Sequence, residues 1–209
     1  ATTEIYALSL HVALPILGTL NAAGKFQAAF FQSVTTRTAG FASVSQSGLT
    51  NGSKLLASML MIIGGSPAGT AGGIKTTTVA VLLLTAISVL RGNKDTECYG
   101  RKITFEIIRV GITITLVTFV FWLFGVTVMT VIEPQQKVLD LMFEATSAMA
   151  TVGLTADLTP VLSDISHVVL MLMMYIGRIG PMTMALIFSG HVDKKNQFRT
   201  LPEAKIMVG

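Results

Sequence analysis

Charge is scarce in this chain. Asp, Glu, Lys and Arg make up 12% of 209 residues, against 51% hydrophobic, where soluble domains carry roughly 25% charged residues. A water-facing globular surface is excluded on that ground. Cysteine is nearly absent too: Cys98 stands alone, which excludes a disulfide framework and a cysteine-based metal site. His11, His167 and His191 are far apart and read as interfacial or surface residues. Basic residues form no stripe of the kind a nucleic acid would need. They flank apolar segments instead, with Arg91, Lys94, Arg101 and Lys102 in one connector and Lys194, Lys195, Arg199 and Lys205 in the tail. The opposite connector carries Glu133, Asp140, Glu144, Asp157 and Asp164 against Lys137. Under the positive-inside rule, connector 92–102 and tail 191–209 are cytoplasmic.

What is present is apolar sequence in long runs. Three regions enter or cross a bilayer: Leu55–Leu90, Ile103–Ile132 and Ile165–Ser189. The first exceeds the roughly 20 residues of a single span and is interrupted by Gly64–Thr78, GGSPAGTAGGIKTTT. Irregular backbone at membrane depth survives where protein buries it or where it lines a watery cavity, so a broken helix points to a transport path. Residues 1–16 are uninformative. The chain lacks an initiator Met, and TTEIYALSLHVALPI resembles mistranslated adapter DNA, which would make the chain a fragment with protein starting near Leu17. The alternative is a short native helix with Pro15 near its end.

The chain repeats itself at an offset of 113 residues: Phe30 with Phe143, Thr38 with Thr151, Gly40 with Gly153, Ser53 with Ser166, Met61 with Met174 and Gly64 with Gly177. Internal repeats are a habit of transporter and channel folds. Each copy has a short amphipathic segment (Lys25–Thr36; Val138–Met149), a glycine turn, a polar linker and a long apolar helix. At about 1.5 Å per residue the short segments cannot span a bilayer and are expected to dip in and return. The fold expected is an all-α membrane protein with repeats of helix, re-entrant pore helix, filter loop and helix, one helix being broken.

The two turns, Thr36-Arg37-Thr38-Ala39-Gly40-Phe41 and Ala150-Thr151-Val152-Gly153-Leu154-Thr155, hold no charged side chain except Arg37. A cation site without carboxylates can be built from backbone carbonyls that replace the ion's water shell, with glycine supplying the φ > 0 geometry. The negative end of a short helix favours a cation at the same place. Candidate filter residues are Thr38, Ala39, Gly40, Thr151, Val152 and Gly153. A plain re-entrant turn without an ion is the alternative for either turn taken singly.

FFQSVTTRTAGF, GGSPAGTAGGIKTTT, ATSAMATVGLT and PEAKIMVG together resemble the KtrB membrane subunits of bacterial potassium uptake systems, in the Trk/Ktr/HKT superfamily. The resemblance covers about 17–209 and implies a third pore repeat over 17–91, lacking its first helix, and a fourth over 103–190. It implies K⁺ as the ion, Gly40 and Gly153 as filter glycines, and an intramembrane gate at 64–73 with Gly64, Gly65, Ser66, Pro67, Gly69, Gly72, Gly73 and the adjoining Lys75. It further implies sodium stimulation, a homodimer in the bacterial inner membrane, and a cytosolic KtrA-type ring that binds ATP or ADP, so that no nucleotide or other cofactor sits on this chain. The activity is transport, not enzymatic.

Arg178 lies within the last apolar run and is expected in the protein interior near the pore, tuning cation occupancy, with Glu144 or helix carbonyls as partners. Lys75 fails the phosphate-loop pattern because Ile74 separates it from Gly73. It reads as a charge at the cytoplasmic mouth, serving gating or orientation. Arg37 is expected at the extracellular rim, since inside a pore it would repel K⁺. Met171, Met173, Met174, Met182 and Met184 read as packing. Rival readings are a TrkH-like subunit, a secondary transporter of another solute with re-entrant hairpins, and an assembly half that pairs with a sister chain.

Overall fold

A computed structural model describes residues 21–66, 71–93, 95–98 and 100–180. These residues form six α-helices: α1 (Ala22–Thr35), α2 (Asn51–Ile62), α3 (Thr76–Leu90), α4 (Phe105–Ile132), α5 (Val138–Met149) and α6 (Asp164–Ile179). A small antiparallel hairpin, β1 (Glu97–Cys98) and β2 (Arg101–Lys102), lies in the connector before α4. The helix starts follow their caps. Asn21, Thr50 and Ser163 each accept a backbone N–H from the first turn of α1, α2 and α6, at 2.8, 3.3 and 3.5 Å. Such side chains satisfy donors that a helix start leaves without partners. The Asn21 cap is why α1 begins three residues before Lys25.

At about 1.5 Å per residue, the 28 residues of α4 exceed the ~30 Å hydrocarbon core of a bilayer. Among the described residues it is the one helix long and apolar enough to cross a membrane. Its outer face carries Leu116, Phe119, Val120, Leu123 and Phe124, all exposed, which suits hydrocarbon rather than water. The Leu55–Leu90 region is indeed broken, into α2 and α3, with irregular backbone between them. The last apolar run differs from expectation. Its helix stops at Ile179, because Gly180 takes φ +87° and the residue before a proline disfavours helix. Arg178 therefore sits in the final turn of α6 and is exposed among the described residues. Residues 181–189, and the tail expected to be cytoplasmic, lie outside the described residues.

The short helix α5 is the centre of the structure. From Leu141 to Met149 every residue except Met142 is buried, with α2, α4 and α6 packed around it. One apolar cluster joins Val126 and Met129 of α4, Leu141 and Met149 of α5, and Leu170 and Met173 of α6. Another joins Ala57 and Met61 of α2 to Phe143 of α5 and to the turn residues Val152 and Leu154. The two repeats are also joined by charge. Lys54 in the first turn of α2 meets Asp140 in the first turn of α5 at 2.6 Å, with side chains 8% and 20% exposed. Burial makes each partner dependent on the other. Removing one charge from a buried pair costs on the order of 3 kcal/mol, whereas an apolar replacement of both is often tolerated. In the full-length transporter, Asp140→Ala should lower the thermal unfolding midpoint sharply. The double change Lys54→Met with Asp140→Leu should recover most of it; a double variant as unstable as the single would show that the stranded Lys54 charge is not the cause of the loss.

Candidate functional site

The site begins where α1 and α5 end. After each helix the chain enters the left-handed region at a threonine and returns to it two residues later at a glycine. Thr38 has φ +66° and Gly40 +76°; Thr151 has φ +52° and Gly153 +94°. Ala39 and Val152 between them keep negative φ. Alternation of sign turns successive carbonyls towards one side of the chain, where a strand would alternate them. A β-branched residue at positive φ is strained, at about 1–3 kcal/mol per residue, and persists only where its surroundings over-determine it.

Those surroundings are the helix ends. Ala39 and Gly40 both donate their N–H to the Thr35 carbonyl, at 3.2 and 3.1 Å. In the second turn Thr151 donates to Ala148 and Val152 to Ser147, at 3.0 and 2.9 Å, and Gly153 donates to the Ser147 hydroxyl at 3.2 Å. The turns thus use their N–H groups to satisfy the last carbonyls of the helices. Among the described residues, no hydrogen bond goes to the carbonyls of Thr38, Ala39, Gly40, Thr151, Val152 or Gly153. The Oγ1 atoms of Thr38 and Thr151 are also buried with no hydrogen-bond partner. An unsatisfied buried hydroxyl costs roughly 1–3 kcal/mol, and here the pair falls at the same position of both repeats. Of the six expected filter residues, Gly40 is brought against Val152 and Gly153, where the two turns meet backbone to backbone. A Cβ on Gly40 would run into the Val152 carbonyl, and one on Gly153 would stand 4.0 Å from the Gly40 Cα.

The segment after each turn is fastened to its helix by a buried polar side chain. Gln32 and Gln46 exchange two amide bonds, at 2.6 and 3.2 Å. In the second copy Glu144 accepts from the Thr155 hydroxyl, from the Ala156 N–H at 2.9 Å and from the Thr159 hydroxyl at 3.0 Å. Gln46 and Thr159 are 113 residues apart, but Gln32 corresponds to Ala145 and not to Glu144, so the tether keeps the repeat register at one end only. Sequence inspection missed these tethers, because the register pairs unlike residues. Glu144, expected as a partner for Arg178, spends both oxygens on the tether. Glu144 and Arg178 do line one cavity of about 610 Å³, together with Ser147, Thr151, Gly153 and Met174. Arg178 is thereby placed beside the second turn.

The broken loop meets the same turn from the other side. Its two legs are zipped at the root, where Gly64 donates to Ile74 at 2.8 Å, Ile74 to Ile62 at 3.0 Å and Thr76 to Gly65 at 3.3 Å. The returning leg passes so close beneath the second turn that a Cβ on Gly72 would strike Thr151 Oγ1 and lie 2.7 Å from the Ala150 carbonyl. Gly64, Gly65, Ser66, Gly72 and Gly73 are described; Pro67 and Gly69 lie outside the described residues. Lys75 differs from expectation: half-buried, it donates to the Ala71 carbonyl at 2.6 Å and ties the loop to itself instead of standing as a free mouth charge. Arg37 lies two residues past the end of α1 and is half-buried.

On the far side, Ser45 and Ser47 of the first copy donate to Asp157 Oδ2 of the second, at 2.8 and 2.6 Å. These hydroxyls, Ser47 first, with Lys54 nearby, hold the Asp157 carboxyl below its usual range. Glu133, just past the end of α4, is lowered in the same way by the hydroxyl and N–H of Ser163 and by Ser166.

The fold is that of an all-α membrane protein. The chain belongs to the TrkH family of cation transport proteins, which it matches over residues 1–199. It is 37% identical over 193 residues to the Ktr system potassium uptake protein B of Bacillus subtilis, covering 92% of this chain and 42% of that protein. It is 36% identical over 183 residues to the potassium/sodium uptake protein NtpJ of Enterococcus hirae, covering 86% and 41%. With the Ktr system potassium uptake protein B of Vibrio alginolyticus it shares 36% over 173 residues, covering 83% and 38%. The chain thus spans about two-fifths of the length of these relatives.

Asp157 yields a pH prediction. Because its folded pKa is depressed, its contribution to stability is present above the unfolded carboxylate pKa of about 3.9 and is lost as pH falls through the lower, folded value. The unfolding midpoint of the full-length transporter should drop across that window. Asp157→Asn, which tolerates the left-handed backbone, should lower the midpoint at neutral pH and flatten the acid limb; an unchanged acid limb would assign the pH dependence to other carboxylates.

Proposed function

We propose that this chain contributes two filter turns and a gate to a potassium uptake pathway in the bacterial inner membrane. The observation that carries the proposal is the pair of turns in repeat register, each with a left-handed Thr and Gly, free carbonyls and a buried unpartnered hydroxyl. Oxygens so arranged suit a dehydrated monovalent cation: they replace its water shell without introducing charge. The carbonyls of Thr38, Ala39, Gly40, Thr151, Val152 and Gly153 line the passage, with Thr38 and Thr151 adding hydroxyl oxygen at its inner end. The C-terminal ends of α1 and α5 point at the same place, and their partial negative charge favours a cation there. In this arrangement α1 and α5 are re-entrant pore helices.

The loop between α2 and α3 is the gate. It lies against the foot of the second turn, and its zipped root lets it move as a unit about Gly64 and Gly73. Lys75 keeps it compact. Arg178, lining the cavity beside Thr151, lowers cation occupancy by its charge. Ions move down their electrochemical gradient and no bond is made or broken, so the chain is not an enzyme. The Ktr system names of two relatives fit a multi-component assembly; we read it as a homodimer on a cytosolic KtrA-type ring that holds ATP or ADP, with sodium as a stimulant and the C-terminal tail in the cytoplasm, rather than as TrkH-like coupling. A secondary transporter of an organic solute fits less well, since the turns offer backbone rather than substrate-specific side chains.

The test is K⁺ uptake in potassium-uptake-deficient bacteria expressing the full-length gene. Gly153→Ser introduces a side chain at positive φ, with strain of about 1–2 kcal/mol that the turn relieves by rotating its carbonyls off the ion, and should raise half-saturating K⁺ roughly tenfold. Rescue at low K⁺ that the serine leaves untouched would move the ion path elsewhere. Deleting residues 66–71 should raise flux by removing the gate, and Arg178→Gln should raise it by removing a repelling charge. Flux unchanged in both variants would reduce the loop and the arginine to packing elements.

A further inference from the structure

Behind the second turn lies a second, smaller cavity of about 140 Å³, bounded by α4, the end of α5 and the root of the broken loop. Its polar groups are already paired. Thr115 and Thr118 donate to the carbonyls of Gly111 and Ile114 one turn back, at 2.9 and 2.7 Å. Trp122 Nε1 donates to Thr146 Oγ1 at 2.8 Å, and Thr146 donates on to the Met142 carbonyl at 2.6 Å. Nothing is left to hold water, which needs two to four polar partners, and apolar cavities of this size stay dry and accept benzene-sized guests. The α4 wall, from Thr115 to Trp122, straddles the midpoint of that 28-residue helix, so the cavity lies at the depth of the hydrocarbon core. Phe119 lines it while remaining 54% exposed, on the same outer strip as Leu116 and Leu123. The mouth therefore opens where α4 meets lipid.

We infer that this cavity receives the end of a phospholipid acyl chain from the bilayer. The chain end would pass Phe119 and rest against Met149, with the loop residues Gly73 and Ile74 forming the far wall. Hydrocarbon at that position braces the loop root and the end of α5 from behind, and ties the gate to membrane composition. The inference rests on the membrane placement of α4 and not on the identity of the transported ion.

The experiment uses the full-length transporter in vesicles doped with a phospholipid bearing a diazirine at the acyl terminus, irradiated and mapped by peptide mass spectrometry. Adducts are expected at Leu116 and Leu123, which any annular lipid reaches, and also at Thr146 and Met149, which are 0% and 4% exposed and reachable through the cavity. Thr115→Phe, which fills the cavity, should abolish the inner adducts and keep the outer ones. Wild-type adducts confined to the outer strip would overturn the inference without recourse to the variant. Inner adducts that persist in a folded Thr115→Phe protein would overturn it too. Neither readout depends on ion flux, so a failed uptake assay and a failed labelling experiment are distinguishable.

Discussion

Two backbone turns pressed against each other, with no space for a Cβ at Gly40, set the terms for everything around them. Gly40 meets the Val152 carbonyl, and Gly72 meets Thr151 and Ala150. Contact of this kind is unforgiving, because backbone cannot yield as a side chain does. It explains why strained threonines at positions 38 and 151 persist and why each turn spends its N–H groups on a helix end. It also accounts for the two buried tethers, Gln32 with Gln46 and Glu144 with Thr155, Ala156 and Thr159. A left-handed threonine released from these restraints would relax, and its carbonyl would swing away from its neighbours.

The repeats share a backbone plan but not an environment. Phe143 is fully buried between α2 and α5, whereas its counterpart Phe30 is 45% exposed. Met61 of α2 is fully buried against α5, while Met174 of α6 is 45% exposed. Among the described residues, this face of the second copy is covered by the first copy packed against it. The partnerships across the repeats follow that asymmetry: Lys54 with Asp140, and Ser45 and Ser47 with Asp157, each reach from the first copy into the second. His167 occupies the register of Lys54 yet turns to the Thr159 carbonyl at 3.0 Å. Identical spacing therefore specifies the path of the chain, and local chemistry decides how that path is held.

The broken segment contributes stability and strain at one place. Its legs pair through backbone at Gly64 and Ile74, which satisfies groups that could find no water at membrane depth. Its returning leg touches the second turn at the Ala150 carbonyl and at the short Thr151 side chain. Any displacement of the loop is felt at Thr151, so the turn and the loop behave as one mechanical unit, and α5, buried on every side, is the anvil against which both rest.

Composition and spacing were enough to determine several features of this protein. Low charge and long apolar runs made it a membrane protein, the 113-residue register located both turns, and glycine at 40 and 153 predicted their positive φ. The boundaries of α5, Val138–Met149, were legible because its amphipathic pattern is bounded by polar residues at one end and a Thr-Val-Gly turn at the other. Tertiary structure alone decided the rest. The arrest of α6 at Gly180, and with it the place of Arg178 in a last turn, depended on a backbone dihedral that an apolar run conceals. Lys75 became a loop tie, because a charged side chain's destination depends on which carbonyls lie within reach. The tethers at Gln32 and Glu144, and the approach of Gly72 to Thr151, join residues 11 to 79 positions apart. Periodicity reports which way a side chain faces along its own element; it carries no information about what stands opposite.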